Sequence, residues 1–512
     1  MERMLSPMLD FRGHLYQDRT ARWLSLAGHY GCEGLVPALV SVGLLASLAC
    51  CMASPDATTN ATGSAAADPM SSPARPAAQD VAPAPAQTPE QAWNWHVQNT
   101  DTLQYHPGIN SPYSGPNSLS AASEVKETVS LDLIFGLRLW PGAEFHVGGL
   151  MWQGFGFSDA HGIDGFPNGE AFRLGTDVPN GSITRLFIRQ TIGLGGEQET
   201  VQDDQFQLAG TRDISRVTLT LGRISAKDIF DNNTYANDCR SQFMNWAFMA
   251  NEAWDYPGDS LGYITGFAAE LNQPKWTLRY GFFQMPSEPN ALSWEDKFLK
   301  WPYDSSAGDG PFLEAWGMVT EFERRYYLNK HPGIIRLLAY LNRANMGSYQ
   351  AAVDSPTRPA DIVATRDYRY KYGFCLNLEQ EITKNIGLFS RLGWSDGNNE
   401  AWVFSDVDRT ATLGLSVKGE PWHRPNDTLG LAGALNGISK VHQNFFAAGG
   451  LGILAGDGAL TYGVEQVIET YYDFQVWKTV HVTLDYQYVN HPAFNRDRGP
   501  VSIFGARLHW YF

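Results

Sequence analysis

The end of the chain shows the clearest pattern of apolar and polar positions. Five apolar residues occupy every second position up to the last: Phe504, Ala506, Leu508, Trp510 and Phe512. Arg507 and His509 lie between them. A period of two is typical of a β-strand with one apolar face and one polar face. An apolar terminal strand invites edge pairing in a soluble protein, so the pattern favours the closing strand of an outer-membrane β-barrel.

The same alternation recurs along the chain, and its polar face repeatedly carries full charges. It covers residues 129–139, 185–194, 217–221, 371–379, 410–418 and 481–488. Charges on the polar face suit a water-filled lumen better than a packed core. About 420 residues at roughly 25 per strand and connection give about 16 strands. The pattern therefore predicts an all-β fold, a transmembrane antiparallel β-barrel of about 16 strands.

Turn residues end several of these segments, and one long segment interrupts the alternation. Pro-Gly or Asp-Gly sequences at 140–142, 331–333 and 395–399 predict turns. Residues 223–257 are too long for a hairpin turn and are rich in aromatic residues, which indicates order. Two interpretations are open: the segment folds into or over the lumen and narrows the pore, or it is an extracellular loop packed on the rim. The first makes it an inward-folded constriction segment of the barrel.

The front of the chain differs in composition from the rest. Residues 35–50 form an apolar run, short for a membrane span, that fits the h-region of a secretory signal peptide. We therefore assign residues 1–53 to a signal peptide or leader. Residues 54–90 are almost all Ala, Pro, Ser, Thr, Asp and Gln, a composition that predicts a disordered linker. The outer-membrane β-barrel domain is expected over residues 91–512.

Net charge and cysteine content exclude several classes of function. The formal net charge is −16, which argues against nucleic-acid binding because that needs a clustered basic surface. Cys50 or Cys51 is an alternative lipidation site in the leader. Beyond the leader only Cys239 and Cys375 remain, which is too few for a disulfide scaffold or a zinc site. One bridge between them is an alternative to two free thiols, which we expect.

Two short motifs allow an enzymatic interpretation. Residues 258–262 read Gly-Asp-Ser-Leu-Gly, which matches G-x-S-x-G with Ser260 as the nucleophile. A nucleophile elbow needs a strand before the serine and a helix after it. A strand-like run follows here, so a turn entering a strand is expected. The glycine cluster at 193–196 is followed by acidic residues rather than by a helix, which disfavours phosphate binding. An outer-membrane esterase using Ser260 is kept as an alternative, but we expect no enzyme, no metal and no cofactor.

Charged residues at alternate positions are the candidate pore lining. In a pore, arginine and carboxylate groups can hydrogen-bond sugar hydroxyls, and an aromatic face such as that of Phe187 or Tyr340 can stack on a pyranose. The simpler interpretation is that these residues hydrate the lumen and pair with one another. The candidates, three of them from the long segment, are Arg138, Arg185, Phe187, Arg189, Lys227, Asp228, Asp231, Glu321, Glu323, Arg325, Arg336 and Glu379.

Seven segments along the chain carry a resemblance to a known family. They lie at 127–133, 141–146, 166–173, 185–190, 222–233, 280–286 and 495–501, and the fifth reads GRISAKDIFDNN. Together they resemble the OprB-type carbohydrate-selective porins of Gram-negative outer membranes. The resemblance implies a barrel of about 16 strands and passive diffusion of glucose and related sugars through a narrowed, charged eyelet. The family's eyelet residues are not aligned one by one onto this chain, so the candidates above rest on strand faces.

The sequence thus predicts an outer-membrane porin for facilitated diffusion of carbohydrates, glucose and similar sugars, through a charged and aromatic-lined pore. Besides the esterase, a secreted β-sandwich carbohydrate-binding protein is an alternative. The expected partners are small sugars, outer-membrane lipid and the barrel assembly machinery, with no nucleic acid. The protein is expected as a monomer or a trimer in the outer membrane of a Gram-negative bacterium.

Overall fold

Antiparallel pairing joins the alternating segments into a closed β-barrel. The computed structural model describes residues 90–171, 175–302 and 313–512. Within these ranges, sixteen long strands form a closed ring, which confirms the predicted fold class, and three short strands lie outside the ring. The predicted leader (1–53), with its cysteines, lies outside the described residues, and so does the predicted linker (54–90) except for its last residue.

The strands and helices have the following bounds. The strands are β1 (Trp93–His106), β2 (Glu124–Trp140), β3 (Ala143–Gly154), β4 (Thr176–Gly193), β5 (Gln198–Val201), β6 (Gly210–Asp213), β7 (Arg216–Ile224), β8 (Ile264–Gln273), β9 (Trp276–Gln284), β10 (Lys300–Trp301), β11 (Trp316–Leu328), β12 (His331–Met346), β13 (Asp367–Thr383), β14 (Ile386–Ser395), β15 (Arg409–Gly419), β16 (Arg424–Gly437), β17 (Glu465–Trp477), β18 (Val480–Asn490) and β19 (Val501–Tyr511). The short α-helices are α1 (Trp246–Met249), α2 (Asp296–Leu299), α3 (Tyr349–Asp354) and α4 (Lys440–Ala447). Strands β5 and β6 pair with each other, and β10 pairs with β4. In the part of the chain that the structure describes, no helix is both long enough and apolar enough to cross a membrane.

The terminal strand closes the barrel, as its apolar alternation predicts. Strand β19 pairs with β18 on one side and with β1 on the other, where Tyr511 lies opposite Gln98. The main-chain N–H of Phe512 also donates to the carbonyl of Val97 (2.8 Å). Neither terminal strand keeps a free edge, so the edge-pairing hazard of an exposed strand is removed.

Side-chain exposure follows the predicted alternation. On β2, Leu133, Phe135 and Leu137 are exposed on the outer face, whereas Ser130 and Asp132 are buried on the inner face. An apolar outer face suits contact with lipid, and a polar inner face suits a wet lumen. The faces that the sequence pattern assigned to this strand are confirmed.

The two ends of the barrel carry connections of different length. Short turns join β2 to β3, β8 to β9, β11 to β12 and β13 to β14 at one end, where β1 begins and β19 ends. Long connections such as 107–123, 225–263 and 438–464 leave the other end. Outer-membrane barrels place short turns in the periplasm and long loops outside the cell. We therefore call the two ends periplasmic and extracellular.

One of the three predicted turns was placed wrongly. The prediction set a turn at 331–333, but His331 already begins β12. The chain reverses at Asn329 and Lys330, whose φ angles are both positive (51° and 72°). Two consecutive left-handed residues suit the twist of a tight β-hairpin. The prediction missed this turn because neither residue is glycine, and the Pro-Gly pair that follows was the stronger signal.

The long connection between β7 and β8 folds into the lumen, which confirms the first of the two interpretations. We call residues 225–263 the lumen segment. Its Phe230 packs edge-on against Phe283 of β9 (ring centroids 6.3 Å apart), and its Phe243 packs edge-on against Tyr471 of β17 (4.9 Å). Strands β9 and β17 are far apart around the ring. The segment therefore crosses the barrel and narrows the space inside it.

Carboxylates hold the extracellular connections together through main-chain N–H groups. Glu465, at the start of β17, accepts from the N–H groups of Asp164 (3.0 Å), Gly165 (2.8 Å) and Ala493 (2.7 Å). Hydrogen bonds to a charged acceptor are shorter and stronger than neutral ones. One side chain therefore fixes the connections that precede β4 and β19 to the wall.

The connection between β4 and β7, at the periplasmic end, is not a short turn. Residues 194–215 form a hairpin of β5 and β6 whose tip, residues 202–209, turns back into the barrel. Asn94 of β1 donates to the carbonyls of Asp204 (3.2 Å) and Gln207 (2.9 Å) in this tip. We call residues 194–215 the mouth hairpin. The alternation of apolar and polar residues does not indicate it.

Both cysteines of the barrel are buried and unpaired, which confirms the expectation of two free thiols. Cys239 belongs to the lumen segment, and Cys375 belongs to β13. Burial raises the pKa of the Cys239 thiol well above its ordinary value, so this group is protonated and unreactive in the closed structure.

Candidate functional site

A network of charged side chains lines the inner wall from β9 to β12. Arg279 contacts Glu321 (2.6 Å) and Glu323 (3.0 Å) through Nη1. Glu323 also pairs with Arg336 (3.0 Å) and with Arg325 (2.7 Å). Residues opposite one another on neighbouring antiparallel strands share a face, so the predicted alternation brings these side chains together. Mutual pairing compensates charges that would be costly to bury alone.

The lumen segment is fastened to this wall by hydrogen bonds to charged groups. The N–H of Asp231 donates to Glu321 Oε2 (2.8 Å), and the Asp231 carboxylate pairs with Arg391 of β14 (3.0 Å). The N–H of Thr234 donates to Glu379 Oε2 (2.6 Å). A hydrogen bond to a charged group contributes about 1.5–3 kcal/mol. The wall charges therefore hold the segment in one position.

Strands β17 and β19 hold the same segment from another side of the ring. Glu469 accepts from the N–H groups of Met244 (2.6 Å) and Asn245 (3.0 Å). Arg507 donates through Nη1 to the carbonyls of Cys239 (2.7 Å) and Gln242 (2.9 Å). Ionisable side chains of the inner face thus serve as partners for the main chain of the lumen segment around much of the ring.

The candidate residues divide into two groups by exposure. Seven are at most 7% exposed and are surrounded by protein groups: Phe187, Lys227, Asp231, Glu321, Glu323, Arg336 and Glu379. Five keep partly exposed side chains: Arg138, Arg185, Arg189, Asp228 and Arg325. Alternation indicates the face that a side chain takes, but it does not indicate which inserted segment covers that face. A pore-lining role stays a prediction, and the exposed group is where it can act.

A second cluster is centred on Arg185 of β4. Its guanidinium binds Asp228 of the lumen segment through both Nε (2.8 Å) and Nη2 (2.7 Å). Cζ of Arg185 lies 4.8 Å from the ring centroid of Phe206, in the mouth hairpin, and 4.9 Å from that of Tyr263, in the lumen segment. Such distances allow cation–π attraction. Arg185 is therefore the point where the two inserted segments meet.

Beside this cluster, Arg240 of the lumen segment joins two carboxylates. Its Nε donates to Glu170 Oε1 (2.6 Å), and its Nη1 donates to Asp132 of β2. The hydroxyl of Ser130 donates to the other oxygen of Glu170. Neither Arg240 nor Glu170 was a candidate. Both lie in connections, where alternation assigns no face, and Lys227, Asp228 and Asp231 were the only candidates taken from a connection. The segment 166–173, one of those that carry the family resemblance, was the signal that could have found Glu170.

A third group of charges lies at the periplasmic mouth. Glu144 of β3 lies between Arg138 (3.8 Å) and Arg189 (4.0 Å). Arg189 also donates to the carbonyl of Phe206 (2.8 Å). These three side chains keep 15–24% of their surface exposed. A solute that leaves the lumen at this end therefore meets both signs of charge.

Lys227 stabilises the lumen segment from within. Its Nζ donates to the carbonyls of Asn237 (3.1 Å) and Met249 (2.6 Å) and to the side-chain oxygen of Asn237 (2.9 Å). Burial, followed by the nearby charge of Arg391, lowers the pKa of Lys227 to about 8. The ammonium group is therefore still charged at neutral pH, with three oxygen acceptors around it.

The Gly-Asp-Ser-Leu-Gly motif forms a turn before β8 rather than a nucleophile elbow. Ser260 is buried, and its N–H donates to the carbonyl of Ala291 (3.0 Å). The neighbouring Asp259 pairs with Arg223 (2.8 Å). A strand follows the serine where an elbow would need a helix. Among the described residues, no group of three or more His, Cys, Asp or Glu side chains is arranged to hold a metal ion.

Comparison with known families accounts for most of the barrel. The family described as "Carbohydrate-selective porin, OprB family" matches residues 116–512. The chain belongs to the OprB family. The resemblance carried by the seven segments is thereby confirmed, and the OprB barrel lies in the outer membrane of a Gram-negative bacterium. A single sheet closed around a lumen also rules out the β-sandwich alternative, which needs two sheets packed face to face.

Two relatives show how far this OprB chain has diverged. The porin AaxA of Chlamydia abortus is 23% identical over 296 residues, which are 57% of this chain and 54% of that protein. The match thus spans about half the length of the curated relative. The high-pH structure of Pseudomonas putida OprB has 17% identity and a TM-score of 0.61, and the match covers 82% of this chain and 94% of that one. At this identity the similarity shows a shared fold.

Proposed function

We propose that this OprB-family protein is a porin through which glucose and similar small sugars diffuse across the outer membrane. The supporting observation is the partly exposed charges around Arg185 and Glu144, which lie inside a closed barrel narrowed by two inserted segments. The family's description as carbohydrate-selective supports the choice of solute. Both the family and the fold point to a channel rather than an enzyme.

The charge pairs offer sugars weak and reversible partners. A sugar hydroxyl can accept from a guanidinium N–H and donate to a carboxylate, so pairs such as Arg185–Asp228 present both kinds of partner. Because each charge is already neutralised by its neighbour, a passing sugar replaces water molecules rather than breaking the ion pair. Conduction requires interactions that are favourable enough for entry and weak enough for exit. Neutral sugars fit these conditions, and no bond is made or broken.

The test is solute entry into liposomes that contain the purified protein. Swelling is recorded with glucose, a disaccharide and a trisaccharide, and empty liposomes give the background rate. We expect glucose to enter fastest and the rate to fall with the size of the sugar. Glucose entry no faster than into empty liposomes would overturn the proposal.

A matched pair of variants connects this result to the charged cluster. Arg185→Ala removes a partly exposed charge at the narrowed region, whereas Lys384→Ala removes an exposed charge at a periplasmic turn. The first variant should change the glucose rate, and the second should leave it unchanged. Equal rates for both variants would show that Arg185 has no part in permeation.

A further inference from the structure

The mouth hairpin brings an aromatic ring from the periplasmic end to the middle of wall strand β3. Phe206 packs on Gly148, which stands five residues after Ala143, the first residue of β3. At about 3.4 Å per residue, that position is about 17 Å along the strand. A Cβ atom on Gly148 would lie 2.7 Å from Cζ of Phe206. The ring is therefore seated against bare backbone, where any side chain would displace it.

Polar contacts with β1 and β4 hold the hairpin tip in this position. Asn94 donates to Asp203 Oδ1 (2.8 Å), and Gln205 donates to the side-chain oxygen of Gln98 (2.9 Å). Arg189 donates to the main-chain carbonyl of Phe206 itself (2.8 Å). The main chain that carries Phe206 is therefore held by β1 on one side and by β4 on the other.

The ring meets a guanidinium that the lumen segment holds from the extracellular side. Arg185 binds Asp228 through two N–H groups and contacts the rings of Phe206 and Tyr263 at nearly equal distances (4.8 and 4.9 Å). The guanidinium is a planar group that stacks readily on aromatic faces. Two rings and one carboxylate therefore fix the plane of the guanidinium as well as its position.

We infer that Phe206 is a positioning residue that holds Arg185 across the passage and thereby sets the largest sugar that the pore admits. The inference rests on the proposed function, because the size limit is measured with sugars. The periplasmic connection between β4 and β7 then acts as the second half of the constriction, and the lumen segment acts as the first. Deleting the ring leaves Arg185 bound to Asp228 but free to tilt into the vacated space beside Gly148.

The size of the effect follows from the contact that is lost. An exposed cation–π contact contributes about 0.5–1 kcal/mol, which corresponds to about a two- to fivefold change in a population ratio. The arrangements of Arg185 that widen the passage should become more populated by this factor. Disaccharide entry, which depends on the wider arrangements, should rise by a similar factor, whereas glucose entry should rise less.

The experiment compares four variants with the wild type in liposomes and in planar bilayers. Phe206→Ala and Phe206→Leu should raise both the single-channel conductance and the ratio of disaccharide to glucose entry. Phe206→Tyr keeps the ring face and should behave as the wild type. Gln202→Ala is the control, since Gln202 lies in the same tip with an exposed side chain. Heat-modifiable migration on gels verifies that each variant forms the barrel.

The outcomes separate this inference from the proposed function. If the wild type passes no glucose, the proposed function fails, and the conductance still reports whether Phe206 limits the passage. If the wild type passes glucose but Phe206→Ala and Gln202→Ala give the same conductance and the same ratio, the inference is overturned. If Phe206→Leu equals the wild type, apolar volume rather than the ring holds Arg185, which overturns it as well. Should Phe206→Ala fail to form the barrel, the leucine and tyrosine variants still decide the question.

Discussion

Two segments enter one lumen from opposite ends, and different forces hold them. The lumen segment binds the wall through buried charges, such as the Asp231–Arg391 pair. The tip of the mouth hairpin is held by single hydrogen bonds rather than by buried ion pairs, such as those from Asn94, Gln205 and Arg189. Breaking a buried ion pair costs about 3–5 kcal/mol, whereas a single hydrogen bond contributes about 0.5–1.5 kcal/mol, or about 1.5–3 kcal/mol when one partner is charged. We conclude that the first segment is a fixed part of the barrel and that the second can be loosened without unfolding it.

The largest loss of stability is expected where a buried carboxylate loses its ion-pair partner. Arg391→Ala leaves the Asp231 carboxylate without its partner and should destabilise the barrel by about 3–5 kcal/mol. Urea unfolding in detergent, followed by heat-modifiable migration, measures the loss, and planar bilayers should show a raised and noisier conductance.

An exposed ion pair provides the control for this prediction. Lys384 and Glu420 are 74% and 49% exposed, and because water screens such a pair, removing it should leave the unfolding midpoint close to that of the wild type. Similar unfolding midpoints for Arg391→Ala and Lys384→Ala would contradict the claim that charge anchors the lumen segment.

A smaller loss of stability is expected when the hydrogen bonds between Asn94 and the tip of the mouth hairpin are removed. Asn94→Ala removes one amide group, whose two N–H donors are shared among Asp203 and two main-chain carbonyls. A neutral hydrogen bond contributes about 0.5–1.5 kcal/mol, and one to a charged group contributes about 1.5–3 kcal/mol. We expect a higher conductance with little change in the urea midpoint, because the hairpin loosens while the barrel stays intact. Asn426→Ala, which removes an exposed amide contact to Gln475, is the matched control. A large fall in the midpoint would show that the hairpin is as integral as the lumen segment.

A substitution at the periplasmic mouth should change the ion selectivity of the pore rather than the stability of the barrel. Arg189→Ala removes a partly exposed cation beside Glu144, so the mouth becomes more negative and cation preference should rise. The zero-current potential in a salt gradient measures the shift, which should shrink as ionic strength rises because salt screens the interaction. Arg424→Ala, at an exposed periplasmic turn, should leave the potential unchanged. An unaltered potential for Arg189→Ala would remove this residue from the pore lining.

The smallest effect is expected from a single methyl group. Gly148→Ala would place a Cβ 2.7 Å from the Phe206 ring, but the far end of a side chain can yield. The variant should therefore raise the conductance in the same direction as Phe206→Ala and by a smaller amount. A variant indistinguishable from the wild type would mean that the ring shifts without releasing Arg185.

Alternation and composition predicted more of the fold than of the site. The strands and their faces follow from period two, as on β2, and the aromatic content of residues 223–257 pointed to an ordered inward segment. The mouth hairpin was missed because residues 194–215 hold a single aromatic residue, Phe206, among polar ones. Its position depends on contacts with strands that are distant in sequence, and no local pattern records such contacts.

Contacts between residues distant in sequence also explain why some of the charged candidates are buried and others are partly exposed. Arg185 and Glu323 occupy equivalent inward positions on their strands, yet only Arg185 stays partly exposed. Glu323 is enclosed by three wall residues, Arg279, Arg325 and Arg336, whereas the partners of Arg185 belong to the two inserted segments. Glu170 and Arg240 lie in connections, which have no strand face, so alternation could not select them, and it did not select the three candidates of the long segment either.

The two free thiols give the barrel a built-in chemical reporter. Cys239 is carried by the segment that crosses the barrel, and Cys375 by the wall of β13, and both are sealed from solvent. A maleimide dye can reach them only while that segment is displaced. The rate of labelling at these two positions, read separately from the three cysteines of residues 1–53, therefore measures how often the interior opens.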